Sequence, residues 1–312
     1  MYVSDREIEK IIFKTLDLKV ESITVFNSGE SHYVYDVKTE SGSVVLRFST
    51  PESFDYLKGS VYWLKSLKNK GIRVPEVLFV NDSLEDFNHY FIIIERLNGC
   101  DFGYVYPEFL KDEKQLLAKK VFDIQNRVAN ISKSKYPGKK FLPTDKLKKQ
   151  SWYDYIVDIS DIADNLEDKS LFDYGKIYQF EEKALECKNL LSKVQIKAYL
   201  DDLTIKNVIV NDGRLSGIVD IDYLSYGHNI MPIALTKMLL LKADYDLDYI
   251  DYCISEYKLT KQDVKLLDLY TLRYCLEFMS DIGCKYDENS KFEYKPEIDR
   301  LNKLFDEICK KI

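Results

Sequence analysis

The stretch YLDDLTIKNVIVNDGRLSGIVDID occupies residues 199–222 and joins a polar loop to the pattern of a β-hairpin. The loop begins with two adjacent aspartates, the second of which is Asp202, and Asn207 then opens a run of Val and Ile. The pair Asp212-Gly213 separates two apolar segments, as expected for a two-residue hairpin turn. Asp220 ends the second segment, so the hairpin is expected to carry a third polar side chain.

The order of these polar residues suits phosphoryl transfer to a hydroxyl group. A carboxylate such as that of Asp202 can accept the proton of the attacking hydroxyl. An amide oxygen and a second carboxylate, here Asn207 and Asp220, are the hard oxygen ligands that Mg²⁺ prefers. Each residue alone is also explained as an ordinary turn or strand-end residue. Only the ordered set favours a catalytic role.

The composition is that of an ordinary globular chain with an acidic balance. Its 312 residues are 46% hydrophobic and 31% charged, which is enough for one large domain or two lobes. The 45 Lys and Arg against 52 Asp and Glu give a net charge of −7, which argues against nucleic acid and favours a cationic small molecule. The six cysteines are scattered without a CxxC pair, which predicts a reducing cytoplasm. No apolar run approaches the roughly 20 residues that span a bilayer, so no membrane partner is expected.

Hydrophobic periodicity divides the chain into a β-rich start and a mainly helical remainder. Strands are predicted within 22–49, 74–80 and 89–99, with helices at about 4–17 and 53–69. Beyond about residue 103 the hairpin interrupts a series of predicted helices, at 108–132, 151–166, 174–193, 229–242, 245–256, 260–284 and 295–311. The Lys-rich segment 133–149 is interpreted as a solvated loop, with docking of a phosphorylated ligand as the open alternative.

The opening block resembles the catalytic motif of the aminoglycoside phosphotransferase and choline kinase-like family, in which H-G-D-x-x-x-x-N precedes a hairpin and I-D. The resemblance extends upstream through GIRVPEV and FIIIERLNG. It implies an α+β, protein kinase-like two-lobed fold, with a small N-terminal antiparallel β lobe and one helix over 1–98. A larger, mainly helical C-terminal lobe over 99–312 would carry the catalytic loop and the acceptor site. The resemblance also implies that Asp202 is catalytic and that Asn207 and Asp220 bind Mg²⁺.

The resemblance further implies that ATP or GTP binds between the lobes as phosphate donor. The backbone of Glu95 and Leu97 would hydrogen-bond the base. Small residues of one loop would lie over the phosphates, at Ser28, Gly29 and Ser31. Gly29 would let backbone N–H groups approach an anion, although a plain hairpin turn explains the same loop. Arg47 occupies the position of the family's phosphate-pairing lysine, and its guanidinium can grip phosphate oxygens in a fork.

Several supporting positions depart from the family pattern. Ser60 occupies the position of the helix glutamate that pairs with the lysine, and it cannot form that ion pair. Asp55 or Glu52, on the same helix, are the predicted substitutes. Leu200 replaces the motif histidine, which in relatives is a buttress, so the geometry of the loop is in question. His228 stands where relatives have an aspartate and is interpreted as a capping or surface residue rather than a catalytic one.

The acceptor is expected to bind the helical part, where acidic residues and tyrosines alternate over 242–257 and 277–289. Carboxylates and aromatic faces suit a polyamine sugar or a quaternary ammonium, although a solvated acidic helix face explains the same pattern. The favoured function is an O-phosphotransferase that moves the γ-phosphate of ATP or GTP to a hydroxyl of a cationic small molecule, with an aminoglycoside antibiotic as leading acceptor. Choline, ethanolamine or a thiosugar are alternative acceptors. A non-catalytic kinase-like binding protein is the alternative class.

Overall fold

The structure, a computed structural model, describes residues 3–26, 33–169, 172–285 and 291–312. The chain divides into two compact units. Unit 1 comprises Met1–Tyr104, Lys139–Lys146 and Lys206–Leu224, and unit 2 comprises Val105–Gly138, Leu147–Ile205 and Ser225–Ile312. The predicted division into a nucleotide-binding lobe over 1–98 and an acceptor-binding lobe over 99–312 stays a prediction.

The strands follow one another along the chain as β1 Val20–Phe26, β2 Tyr33–Thr39, β3 Gly42–Ser49, β4 Val77–Asn81, β5 Tyr90–Glu95, β6 Cys100–Asp101, β7 Gly138–Lys140, β8 Lys197–Tyr199, β9 Val208–Asn211, β10 Arg214–Ile218 and β11 Leu224–Gly227. The α-helices are α1 Asp5–Leu16, α2 Phe54–Asn69, α3 Phe102–Val105, α4 Lys111–Val128, α5 Trp152–Ile156, α6 Ser160–Lys169, α7 Gly175–Glu186, α8 Lys188–Leu191, α9 Met231–Lys242, α10 Asp248–Glu256, α11 Lys261–Lys285 and α12 Lys291–Cys309. Within the described ranges, no helix has both the length and the apolar character that crossing a membrane would require.

Unit 1 is built on a five-stranded antiparallel sheet with the strand order β1-β2-β3-β5-β4. Because side chains alternate along a strand, β3 presents different residues to its two faces. Val44, Leu46 and Phe48 pack on one face in a core shared with α1. Arg47 therefore belongs to the other face, in the middle of the sheet, opposite Ile92 of β5.

The predicted hairpin is confirmed as β9 and β10, and β6 extends it into a three-stranded sheet in the order β10-β9-β6. Asp212 and Gly213 have φ angles of 49° and 70°, as a two-residue turn with the twist of the flanking strands requires. Gly99 has a φ of 111°, and a Cβ there would lie 2.0 Å from the carbonyl oxygen of Val210. Glycine thus lets the start of β6 approach β9 closely.

Unit 2 is mainly helical and is organised around α11, which contacts α6, α7, α9 and α12. β8 and β11 form a short antiparallel ladder in which Tyr199 lies opposite Ser225. Gly227 at the end of β11 faces Trp152, whose ring atom Cζ3 would lie 2.0 Å from a Cβ at that position. The ladder therefore brings the strand before the polar loop into the core of the unit.

The helices predicted from periodicity are found, but two of them are broken. The stretch predicted over 151–166 separates into α5 and α6, and the stretch over 174–193 separates at Cys187 into α7 and α8. Residues 156–159 read Ile-Val-Asp-Ile, all of low helix propensity, which accounts for the first break. The Lys-rich segment 133–149 is irregular apart from β7, as predicted.

Candidate active site

A cavity of about 270 Å³ in unit 1 collects several of the residues predicted to bind nucleotide and metal. Arg47 of β3, Glu95 and Leu97 at the end of β5, and Asn207 and Asp220 flanking the hairpin all line it. Their roles stay predictions, but the structure brings them to one pocket. The predicted phosphate-loop residues Ser28, Gly29 and Ser31 lie outside the described residues.

The two predicted metal ligands are linked through the backbone. The N–H of Val219, beside Asp220, donates to the carbonyl oxygen of Asn207 at 3.0 Å. Asp220 has a φ of 59°, a left-handed conformation that is uncommon outside glycine and that clusters at functional sites. In the described part of the chain, no three His, Cys, Asp or Glu side chains form a metal-binding group. The set that fits Mg²⁺ is therefore one amide oxygen and one carboxylate in the same cavity.

Arg47 is buried, with 8% of its surface exposed, and its guanidinium lies among three polar groups. Nη2 donates to Oδ2 of Asp222 at 2.7 Å, and Nη1 donates to Oγ of Ser60 at 3.3 Å. Nη1 also lies 3.5 Å from Oδ1 of Asp220. Burial by itself lowers the pKa of Arg47, but Asp222 and then Asp220 outweigh it, so the pKa lies above its ordinary value. The cavity therefore contains a permanent positive charge.

The acid that pairs with Arg47 is neither of the two predicted. Asp55 forms an exposed ion pair within α2 itself, and Glu52 is exposed. The prediction that Asp55 or Glu52 replaces the helix glutamate is wrong, because Arg47 donates instead to Asp222, which follows the hairpin. Sequence reasoning missed Asp222. The small pair Gly59 and Ser60 within α2 was the available signal, because it marks a close approach of backbone.

The segment that ends β5 is fixed through both its side chains and its backbone. The carboxylate of Glu95 accepts hydrogen bonds from Arg73 at 2.6 and 3.1 Å. Burial opposes ionisation of Glu95, but these hydrogen bonds from Arg73 keep its pKa below the ordinary value. The main-chain N–H of Glu95 donates to the carbonyl oxygen of Glu76 at 2.8 Å. The carbonyl oxygen of Leu97 accepts from Nη1 of Arg96 at 2.5 Å.

The two adjacent aspartates of the polar loop belong to unit 2, where their surroundings differ. Asp201 is half-buried. The pKa values of Tyr199 and Tyr274 are raised mainly by the burial of these tyrosines, and the negative charge of Asp201 adds to the effect. Asp202 is exposed, and its main-chain carbonyl accepts from the N–H of Thr204 at 2.8 Å. The catalytic role of Asp202, rather than Asp201, stays a prediction. The exposure of Asp202 is compatible with it.

Uncharged contacts hold Leu200, the residue at the position of the family's motif histidine. Leu200, which occupies that position, is 4% exposed. Gln125 of α4 is fully buried; its Nε2 donates to the carbonyl of Leu200 at 2.8 Å, and its Oε1 accepts from the N–H of Leu200 at 3.1 Å. Leu203 and Ile205, beyond the aspartates, are buried as well. Sequence reasoning missed Gln125, for which no local pattern gave a signal.

His228 is partly buried and belongs to a hydrogen-bonded trio. Nε1 of Trp152 donates to the hydroxyl of Tyr270 at 2.8 Å, and that hydroxyl lies 3.0 Å from Nδ1 of His228. Where Nδ1 of His228 carries no proton, the hydroxyl of Tyr270 donates to it. Burial, only partly opposed by Asp263, lowers the pKa of His228 to about 4. The capping part of the interpretation has support, because the main-chain carbonyl of His228 accepts from the N–H of Met231 at the start of α9.

Comparison with known sequences decides the family. The profile of the phosphotransferase enzyme family, APH, matches residues 22–236, which is more than two thirds of the chain. The chain belongs to the phosphotransferase enzyme family. The predicted family and the predicted small-molecule phosphotransferase activity are confirmed at this level. No curated protein sequence matches this phosphotransferase.

Solved structures similar to this phosphotransferase confirm its predicted kinase-like fold. A thermostable mutant of aminoglycoside phosphotransferase APH(4)-Ia, in a ternary complex with AMP-PNP and hygromycin B, has a TM-score of 0.68 at 15% identity, covering 97% of this chain and 98% of that one. ADP-bound APH(2'')-Ib has a TM-score of 0.69 at 16% identity, with 98% and 99% covered. A putative fructosamine-3-kinase from Haemophilus somnus 129PT has a TM-score of 0.65 at 15% identity, with 96% of each chain covered. At these identities the likeness shows the fold.

The acidic segment 242–257 of the phosphotransferase is partly neutralised within unit 2. The carboxylate of Asp246 accepts from Nζ of Lys114 at 2.9 Å, and that of Asp244 accepts from Arg300 at 2.7 Å. A carboxylate that already has a cation attracts a second one less strongly. These two residues therefore fit a structural role better than recognition of a cationic acceptor. The further acceptor candidates Tyr286, Asp287 and Glu288 lie outside the described residues.

Proposed function

We propose that this phosphotransferase moves the γ-phosphoryl group of ATP or GTP to a hydroxyl of a cationic small molecule, with an aminoglycoside as leading acceptor. The observation that carries the proposal is that Arg47, Asn207 and Asp220 line the same cavity. A cationic fork, an amide oxygen and a carboxylate in one pocket are the groups that phosphates and their metal need. Similarity to APH(4)-Ia in complex with AMP-PNP and hygromycin B supports the same donor and acceptor classes.

Each residue has a distinct part in the proposed reaction. Arg47 donates to phosphate oxygens and holds the nucleotide phosphates in the pocket. Asn207 and Asp220 are the residues that would hold Mg²⁺, which when bound neutralises charge on the phosphates. Asp202 orients the acceptor hydroxyl and accepts its proton as the new bond forms. Because such a transfer depends mainly on positioning and electrostatics, these groups suffice for the chemistry.

We propose that ATP is preferred over GTP, on the basis of the backbone that ends β5. The N–H of Glu95 is already used by Glu76, so Glu95 would contact a base through its carbonyl oxygen. The carbonyl of Leu97 already accepts from Arg96, so we assign its N–H to the base. An acceptor followed by a donor matches the amino group and ring nitrogen of adenine, whereas guanine presents its carbonyl oxygen at the first position. Competition between ATP and GTP in a binding assay tests this preference, and tighter GTP binding would contradict it.

A second acceptor class has one specific observation in its favour. Asp244 and Asp246 are already paired with Arg300 and Lys114, which weakens the case for a strongly cationic acceptor. Choline, ethanolamine, a thiosugar or a fructosamine would then be the phosphorylated alcohol. The similarity to a putative fructosamine-3-kinase is the reason for including the last of these.

We also propose that the enzyme works in the cytoplasm. The five cysteines whose side chains are described are all free thiols. Burial raises the pKa of Cys253 and of Cys275 to about 12, so these thiols are unreactive. Free thiols are the rule in reducing compartments. Fractionation of cells that express the protein tests the assignment, and recovery outside the cytoplasmic fraction would contradict it.

The central test is phosphate transfer by the purified protein with Mg²⁺ and ATP or GTP. The acceptor panel contains hygromycin B, streptomycin, choline, ethanolamine, a thiosugar and a fructosamine, and mass spectrometry detects the phosphorylated acceptor. Asp202→Asn should lower the rate constant of transfer by about a thousandfold while nucleotide still binds. Asp201→Asn is the matched control, because it makes the same chemical change at the adjacent residue and should retain most of the activity.

Three results would contradict the proposal or one of its parts. Unchanged transfer by Asp202→Asn would remove that residue from the reaction. Nucleotide binding without transfer to any acceptor would favour the alternative of a non-catalytic kinase-like binding protein. A protein that binds neither ATP nor GTP, tested by thermal shift with Mg²⁺, would contradict the assignment of the cavity itself.

A further inference from the structure

Two contacts of Arg47 tie its guanidinium to α2 and to the segment 220–222 within unit 1. Asp222 and Ser60 each take one nitrogen of the guanidinium, at 2.7 and 3.3 Å. The hydroxyl of Ser60 in turn donates to the carbonyl oxygen of Ile221 at 2.9 Å. Arg47, α2 and the segment 220–222 are therefore joined through a few short hydrogen bonds.

α2 lies directly against that segment because two of its residues are small. A Cβ at Gly59 would lie 1.9 Å from the main-chain oxygen of Asp222 and 3.3 Å from that of Phe141. Ser60, the next residue, is 1% exposed and fills the space between α2 and Ile221. A glutamate at position 60 would have to displace this backbone contact. The loss of the helix glutamate and the close approach of α2 are thus one structural feature.

We propose that Asp222 is the positioning residue for Arg47 and does for it what the glutamate on the helix does for the lysine of related enzymes. This inference rests on the proposed nucleotide site, in which Arg47 contacts phosphate oxygens. The replacements of the lysine by Arg47 and of the glutamate by Ser60 then belong together. A lysine carries its donors on a single nitrogen, whereas the two terminal nitrogens of an arginine reach Asp222 and Ser60 at once.

The same arrangement explains how Asp220 can serve as a metal ligand beside a buried cation. Arg47 is 2.7 Å from Asp222 but 3.5 Å from Asp220. The shorter, charge-assisted hydrogen bond draws the guanidinium toward Asp222. Nη1 of Arg47 lies between Ser60 and Asp220, whereas Nη2 carries a second N–H that can donate to a phosphate oxygen in the cavity that Arg47 lines. Asp222 thus orients the fork and leaves Asp220 to its own role.

The experiment compares a ligand that has phosphates with one that has none. ADP and adenosine are titrated calorimetrically, with EDTA and then with Mg²⁺, into the wild type, Arg47→Met and Asp222→Asn. Asp222→Asn keeps the shape of the side chain and removes its charge. We expect it to weaken ADP binding about tenfold, as the loss of one charge-assisted contact would, and to change adenosine binding less than about twofold.

A matched control and a graded variant separate positioning from a structural role. Asp55→Asn makes the same chemical change in an exposed ion pair of α2, and should leave ADP binding unchanged. Ser60→Ala removes only the weaker guanidinium contact and should weaken ADP binding about threefold, again without changing adenosine binding. Ser60→Ala also keeps the inference testable where Asp222→Asn does not fold. An equal loss of ADP and adenosine binding would indicate a purely structural role and overturn the inference.

The failures of the inference and of the proposed function are distinguishable. Wild-type protein that binds neither ADP nor GDP contradicts the nucleotide site itself. Wild-type protein that binds ADP, is weakened by Arg47→Met and is unchanged or tightened by Asp222→Asn supports the site but overturns the positioning role. Tighter ADP binding by Asp222→Asn would mean that the charge of Asp222 mainly repels the phosphates.

Discussion

The surroundings of Arg47 in unit 1 and the segment 199–205 in unit 2 both replace motif residues of related enzymes, but by different physics. Around Arg47, two carboxylates and a hydroxyl hold a buried charge. In 199–205, an uncharged amide from Gln125 and apolar burial hold the backbone. The difference teaches that a motif position can be replaced from far along the chain when the substitute supplies the same constraint. That constraint is charge in unit 1 and backbone hydrogen bonding in unit 2.

The strongest test of how the segment 199–205 is held is Gln125→Leu, which keeps the size of the side chain and removes both of its hydrogen bonds to Leu200. The buried N–H and carbonyl of Leu200 then have lost the partner that Gln125 provides, so we expect the free energy of unfolding to fall by about 4 kcal/mol. Chemical denaturation measures this loss. Gln115→Leu, an exposed position on the same helix, is the control and should change stability little. Equal stability of the two variants would mean that Gln125 does not hold the loop.

The contact between α2 and the segment 220–222 is tested by Gly59→Ala. Alanine favours helix over glycine, but its Cβ would lie 1.9 Å from the oxygen of Asp222, so α2 must shift. We expect a net loss of about 3 kcal/mol in the free energy of unfolding, together with weaker nucleotide binding. Lys65→Ala, at an exposed position of α2, should be neutral by the same measurements. A stabilised Gly59→Ala protein would show that the close approach is not needed.

The pH dependence of stability tests a second uncharged part of unit 2, the hydrogen-bonded trio of Trp152, Tyr270 and His228. The pKa of His228 is about 4 in the folded protein against 6.5 ordinarily, so the folded state binds its proton less tightly than the unfolded chain. The contribution of His228 to the free energy of unfolding should therefore be constant above pH 6.5 and fall between pH 6.5 and 4. The fall should be about 2 kcal/mol at pH 5. Asp263 and Lys197, the charged groups that act on His228, oppose and assist the shift respectively.

Denaturation curves between pH 4 and 8 measure this contribution. His228→Gln should remove most of the acid-dependent loss, whereas His89→Gln, the matched change in unit 1, should retain it. An unchanged pH profile for His228→Gln would show that His228 becomes protonated as easily in the folded protein as in the unfolded chain.

The smallest expected effect is that of Ser60→Ala on stability in unit 1. The variant removes the donor to the carbonyl of Ile221 and one acceptor of Arg47, but Arg47 keeps Asp222. We expect a loss of about 1 kcal/mol, measured by thermal unfolding against Ser66→Ala on the same helix. A loss of stability as large as that of Gln125→Leu would contradict this expectation. It would show that the surroundings of Arg47 depend on Ser60 as strongly as the segment 199–205 depends on Gln125.

Much of the fold and part of the site follow from local sequence. The Asp212-Gly213 turn between two apolar runs predicts β9 and β10, since few residue pairs adopt two consecutive positive φ angles. Alternation along β3 places Arg47 on the face away from the core shared with α1. The cavity that these elements share with Asn207 and Asp220 is a consequence of the same hairpin.

The parts that local sequence did not predict are single long-range hydrogen bonds. Asp222 is 175 residues from Arg47, and Gln125 is 75 residues from Leu200. No period of a helix or strand encodes which distant side chain completes such a pair. One signal was present for the first of them, because the small pair Gly59 and Ser60 in the middle of a helix marks a close approach of backbone.

The amide of Gln125 imitates a peptide group, since it offers one donor and one acceptor to Leu200 as a neighbouring strand would. Asparagine is one methylene too short to reach from the same backbone, and glutamate has no donor for the carbonyl. Lysine, arginine and the aliphatic residues each lack at least the acceptor. In a saturation library at this codon, selection for a folded and active enzyme should therefore recover glutamine almost alone. A position outside every recognised motif would then be among the least tolerant of substitution in the chain.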